Sequence, residues 1–81
     1  MRARVIVLPR PEILDPQGRA VAHALSSLHF GGVEDVRVGR IVDLTLQDGL
    51  ERGAAELQVR KMAKDLLANP IVEDFQIEWL D

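Results

Sequence analysis

No cysteine occurs in the chain, so no disulfide and no thiolate zinc site can brace it, and the absence suits a reducing compartment. Histidine is nearly absent too, with only His23 and His29. Six positions on one helix turn the two rings about 120° apart, which denies them a shared metal. Aromatics are confined to Phe30, Phe75 and Trp79, too few for the stacking platforms of an RNA-binding sheet. Basic charge is not in excess: ten Lys and Arg stand against thirteen Asp and Glu, a net charge of −3. A nucleic-acid surface would need the reverse. No apolar run approaches the ~20 residues of a membrane span, and no signal-peptide pattern precedes the first apolar segment. The expectation is a cytoplasmic protein that binds neither nucleic acid nor membrane.

What is present is one small domain of 81 residues. A chain of this size buries only about 60% of its unfolded surface and usually needs a staple. With disulfides and metal removed, oligomerisation remains.

Along the chain, "ARVIVL" at 3–8 reads as a strand with Ala3, Val5 and Val7 on one face and Arg4, Ile6 and Leu8 on the other. Both faces are apolar in its second half, which predicts cover on both sides. Prolines 9, 11 and 16 then exclude strand or helix interior. Residues 15–29 read as a helix with Val21, Ala24, Leu25 and Leu28 in one stripe, ended by Gly31 and Gly32. Residues 33–46 read as one bent strand or two short ones, broken at Gly39. A second helix runs from Leu50 or Ala54 to Leu67, its stripe formed by Val59, Met62, Ala63, Leu66 and Leu67, and Asn69-Pro70 stops it. "IVEDFQIEWL" closes the chain as a strand with Ile71, Phe75, Ile77 and Trp79 on one side. "VEDVRV" at 33–38 and "VEDFQI" at 72–77 echo one another, each after a helix stop. The order β-α-β(β)-α-β predicts a small α+β, ferredoxin-like fold. Two helices would cover one face of an antiparallel sheet, and a second copy would cover the other.

"ILDPQGRAV" at 13–21 raises the one question of a ligand. Its single glycine and the lack of a following Lys-Ser/Thr exclude a P-loop. Asp15 suits an N-cap and Pro16 the first helical position, so a helix start is the simpler reading. The alternative is an anion at the same N-terminus, held by Gln17, Gly18 and Arg19. That alternative would make the domain a small-anion-sensing regulatory module. The adjacent carboxylates Glu34/Asp35 and Glu73/Asp74 point to opposite strand faces and read as solvated strand entrances. Ser26, Ser27 and Thr45 have no evident base. No catalytic constellation emerges. The first helix carries one charge between residues 16 and 30, Arg19, and offers Ala20, Ala22, His23, Ser26 and Ser27 as a weakly polar contact face.

"LPRPEILDPQGRAV", "VEDVRVGR" and "LLANPIVEDFQIE", taken together and in this order, resemble the signature stretches of the PurS family across the whole of residues 1–81. PurS proteins are the small subunits of phosphoribosylformylglycinamidine (FGAM) synthase. The resemblance implies a complex that turns formylglycinamide ribonucleotide, glutamine and ATP into formylglycinamidine ribonucleotide, glutamate, ADP and phosphate. It further implies that chemistry, with its ATP and Mg, belongs to separate glutaminase and synthetase subunits. This chain would have no catalytic residue, cofactor or metal of its own. It would form a homodimer or tetramer, bridge the two partners and assist ammonia transfer. The two-sided strand suggests a dimer built from strands 3–8 and 33–46.

Overall fold

The structure, a computed structural model, describes residues 1–80, so the last residue of the domain expected over 1–81 lies outside the described residues. Strand β1 (Arg2–Pro9) is the centre of a three-stranded antiparallel sheet, flanked by β2 (Arg40–Thr45) and β3 (Glu73–Trp79). The two helices are α1 (Pro16–Ser27) and α2 (Arg52–Met62), the latter continued by a π turn at Ala63–Leu67. β-branched and apolar residues at alternating positions make β1 a strand, and the pleat sends Ala3, Val5 and Val7 to one side. All three are fully buried. Register places Val5 between Val42 and Ile77, so the inner faces of the strands meet in one layer.

Helix α2 covers that layer. Ala55 and Val59, with Ala63 of the π turn, are buried, and their small side chains let the helix approach closely. Val42, Leu44, Phe75, Ile77 and Trp79 pack around the edge of this core. Glu51 starts the helix, its two carboxylate oxygens accepting the Gly53 and Ala54 amides at 2.9 Å. A glutamate was not anticipated there, since the preferred caps have shorter side chains.

Helix α1 behaves differently. It forms where its spacing predicts, but none of its residues joins the buried cluster. The expected pair of helices on one sheet face is therefore replaced by α2 alone. Geometry explains this: three strands about 4.8 Å apart span roughly 10 Å, the width of a single helix. The strand that would widen the sheet does not form within the chain. Residues 31–39 join no strand, and β2 begins only at Arg40. A side chain at Gly39 would collide with the Val7 carbonyl and Leu8, so the backbone crosses the end of β1 at close quarters there. Just before it, the Val38 amide donates to the Asp15 carboxylate at 2.8 Å instead of to a neighbouring strand. With α1 left outside, the molecule measures 51 × 26 × 15 Å, and its radius of gyration is 16.1 Å. A compact chain of this length would have about 12 Å.

Three further differences have local causes. Helix α1 ends on His29 at φ 68°, before the glycines: the His29 amide donates to the Ser26 carbonyl and the Phe30 amide to the Leu25 carbonyl. These are the two bonds of a Schellman ending, with histidine at the position glycine usually takes. The π turn closes with the Ala68 amide on the Ala63 carbonyl, five residues back. The extra residue rotates Leu66 out of the predicted stripe, leaving it 82% exposed, while Leu67 stays half-buried. Ile71 precedes β3 in the turn after Asn69-Pro70 and is 80% exposed instead of lying with Phe75.

Candidate functional site

The signature residues come together in two clusters, and in both they fasten backbone to backbone. The first surrounds Asp15. Its carboxylate accepts the Val38 amide and makes no hydrogen bond of normal geometry to its own helix. The anticipated N-cap therefore joins two segments that are 23 positions apart. The Val38 N–H chiefly, with the nearby Gly18 and Gln17 amides, holds the Asp15 carboxyl below the ordinary range. Gly18 is buried because the Val36 carbonyl passes over it; a methyl group there would strike both that oxygen and the Asp15 carboxylate. Here the lack of a side chain is what permits the contact.

Arg37 donates to the Pro9 carbonyl at 3.1 Å, tying the same segment to the end of β1. Of the candidate residues, Asp15 and Arg19 share a hollow of about 200 Å³ with Ile13, Asp35 and Arg37. Gln17 and His23 are exposed and do not line it. A carboxylate of the chain itself thus stands beside the N-terminus of α1.

The second cluster surrounds Arg40. Its guanidinium grips Glu73 through two bonds, at 2.8 and 3.0 Å, and donates to the Leu67 carbonyl. Glu73 in turn accepts the Asn69 amide at 2.7 Å, and the Asn69 side chain accepts the Ile71 amide at 3.1 Å. This set joins the start of β2, the end of the π turn and the start of β3. Arg40 chiefly, then the Asn69 amide, pulls the Glu73 carboxyl below its usual range. Glu73 is 16% exposed, so it is not the solvated strand entrance its sequence suggests, whereas Glu34, Asp35 and Asp74 are exposed. Sequence reasoning missed the pair because Arg40 and Glu73 lie 33 positions apart. The available hint was that both fall inside stretches with family-like spelling.

On the outer face of the sheet, Arg4 and Asp43 face one another across β1 and β2 in a two-bond pair at 2.8 and 3.1 Å. No three metal-ligating side chains come together among the described residues.

A sheet with one helix of its own, signature residues that brace turns, and a second helix with nothing beneath it define an assembly subunit of α+β fold. Comparison with known proteins gives the class its particular form. Residues 2–81 match the family model PurS: Phosphoribosylformylglycinamidine (FGAM) synthase. The chain is 42% identical over 76 residues to the phosphoribosylformylglycinamidine synthase subunit PurS of Mycobacterium leprae, covering 94% of this chain and 91% of that protein. It superposes on Bacillus subtilis PurS with a TM-score of 0.82 and 38% identity, over 95% of this chain and 94% of that one. A chain in the structure of PurLQS from Thermotoga maritima gives a TM-score of 0.86 at 25% identity, over 98% and 95% of the two. The chain belongs to the PurS family, the subunits of FGAM synthase, a ligase complex of purine biosynthesis.

Proposed function

We propose that this chain is the self-associating, bridging subunit of an FGAM synthase. Two copies or more would join a glutaminase to an ATP-dependent synthetase. The observation that carries the reading is the uncovered α1 arm. Val21 and Leu28 are exposed on it, as are Leu14, Phe30 and Val33 on the segments at its two ends. Large apolar side chains exposed together on one segment of the chain mark an interaction surface. A second copy is the natural occupant, because each copy lacks sheet width for its own α1. Residues 31–37, which join no strand, and the outer edge of β2, which has no strand partner among the described residues, would supply backbone for the same contact. β1 has both edges taken, so strand 3–8 would contribute only through Ile6 and Leu8 on its open face.

Function would follow from position. Holding glutaminase and synthetase together raises the effective concentration of ammonia at the second site, the advantage of any tethered pair of reactions. ATP and Mg would be used by the synthetase, in the cytoplasm, and this chain would hold neither. No helix among the described residues is long and apolar enough to cross a membrane. The anion-sensing alternative is not favoured, since Asp15 already places a negative charge at the α1 start.

The test is reconstitution. Adding this chain to the two partner subunits restores glutamine-dependent FGAM formation, while alone it shows neither glutaminase nor ATPase activity. Undiminished glutamine-dependent turnover without the chain would sink the bridging role.

A further inference from the structure

The arm that carries α1 leaves and rejoins the body by two limbs of opposite stiffness. The outgoing limb holds Pro9, Pro11 and Pro16, whose rings fix φ. Arg10 anchors that limb to the turn before β3: its amide donates to the Val72 carbonyl at 2.9 Å and its guanidinium to the Pro70 carbonyl at 2.6 Å. The returning limb, residues 31–39, has three glycines and no proline, and it joins no strand. Left to itself such a segment would be loose. Three contacts at the base of the arm staple it to the stiff limb. The Asp15 carboxylate accepts the Val38 amide at 2.8 Å, Arg37 donates to the Pro9 carbonyl at 3.1 Å, and the Val36 carbonyl lies over Gly18. Since no residue of α1 joins the buried cluster, the direction of the helix is set at this base.

We infer that these contacts form a clasp that fixes the arm's direction before assembly and so sets how tightly two copies associate, with Asp15 and Gly18 as positioning residues. An arm already held in one direction meets its partner without a further loss of conformational freedom. An unclasped arm has to be ordered as it binds. Both copies of a dimer bear that cost, so an opened clasp counts twice. Gly18 is the cleanest probe, because it is buried beneath the Val36 carbonyl and out of a partner's reach. Alanine is a better helix former than glycine, so a loss on Gly18→Ala reports the collision with Val36 and Asp15 and not a weaker helix. This inference rests on the reading that α1 is the self-association surface.

The experiment measures the self-association constant of the full-length chain by sedimentation, with amide exchange run beside it. Wild type is compared with Asp15→Ala, Asp15→Asn, Gly18→Ala and the double variant Asp15→Ala/Gly18→Ala. Amides of β1 and α2 are expected to stay protected throughout, while the Val38 amide exchanges faster in Asp15→Ala and Gly18→Ala. Self-association is expected to weaken about tenfold or more in each of these two, the cost of ordering a few loosened residues in both copies. The double variant should be no weaker than the weaker single one, since both changes open the same clasp. Asp15→Asn keeps an oxygen that accepts from Val38 and should stay within about threefold of wild type. Wild-type affinity in Asp15→Ala or Gly18→Ala would overturn the inference. So would effects that add in the double variant, an asparagine no better than alanine, or lost protection in β1. If wild type itself is a monomer, the self-association reading fails and the clasp's role in assembly with it, and the wild-type measurement alone reveals it.

Discussion

The two helices of this molecule have similar lengths and comparable apolar stripes, yet only one of them is folded against its own chain. Helix α2 buries Ala55 and Val59 on the sheet, whereas the only buried residue of α1 is Gly18, pressed against backbone. An amphipathic stripe says that a helix will be covered, and leaves open which chain does the covering. The difference lies in what the sheet can accommodate: one helix fills three strands. It follows that damage to α2 should appear as lost fold, and damage to α1 as lost assembly.

The widest separation is expected between Val59→Asp and Leu25→Asp/Leu28→Asp. The first places an unpaired carboxylate in the core at a cost of several kcal/mol, so the domain should unfold, as circular dichroism would report. The arm variant should keep the secondary structure of the body while its self-association weakens by more than a hundredfold. Burial of each leucine is worth about 2 kcal/mol. Equal unfolding of both variants would erase the distinction between the helices.

A smaller effect is expected at the joint between arm and body. Gly18→Ala pushes a methyl group into the Val36 carbonyl, which should cost about 1–3 kcal/mol of local stability. Hydrogen exchange at the Val38 amide should speed up while amides of β1 stay protected. Unchanged Val38 exchange would show that Asp15 and Gly18 do not fix the arm.

The smallest effect concerns the body's own brace. Glu73→Gln should lower stability at pH 7 by about 1 kcal/mol, the upper end for a pair whose arginine is half exposed. The sign with pH follows from the lowered Glu73 carboxyl. Its contribution is complete above the ordinary glutamate pKa of about 4.3 and disappears as pH falls through the lower folded value. Urea unfolding at pH 7 and near pH 3 should therefore show the variant and wild type converging in acid. A constant gap would mean that Glu73 acts by packing and not by charge.

Much of the body was legible in the sequence because its periodicities are local. Alternation in "ARVIVL" placed Ala3, Val5 and Val7 correctly, and the helical spacing found Val59 and Ala63. What escaped reading was non-local or irregular. Leu66 obeys the helical spacing, but the π turn adds a residue and rotates it away. Residues 33–38 alternate like a strand, yet the pairing partner is missing within the chain, so the Val38 amide turns to Asp15. Asp15 stands at the helix start as its sequence suggests, but its side chain proved to be a long-range fastener. Arg40 and Glu73 carry no local mark of their partnership. The resemblance to PurS supplied the family, and its signature stretches hold the side chains of both braces.

The proposal that a second copy covers the arm is tested most directly by sedimentation equilibrium of the wild-type chain at micromolar concentration, beside Leu25→Asp/Leu28→Asp. A wild-type dimer or tetramer and a folded, monomeric variant are expected. A wild-type chain that sediments as a folded monomer would show that α1 needs no second copy.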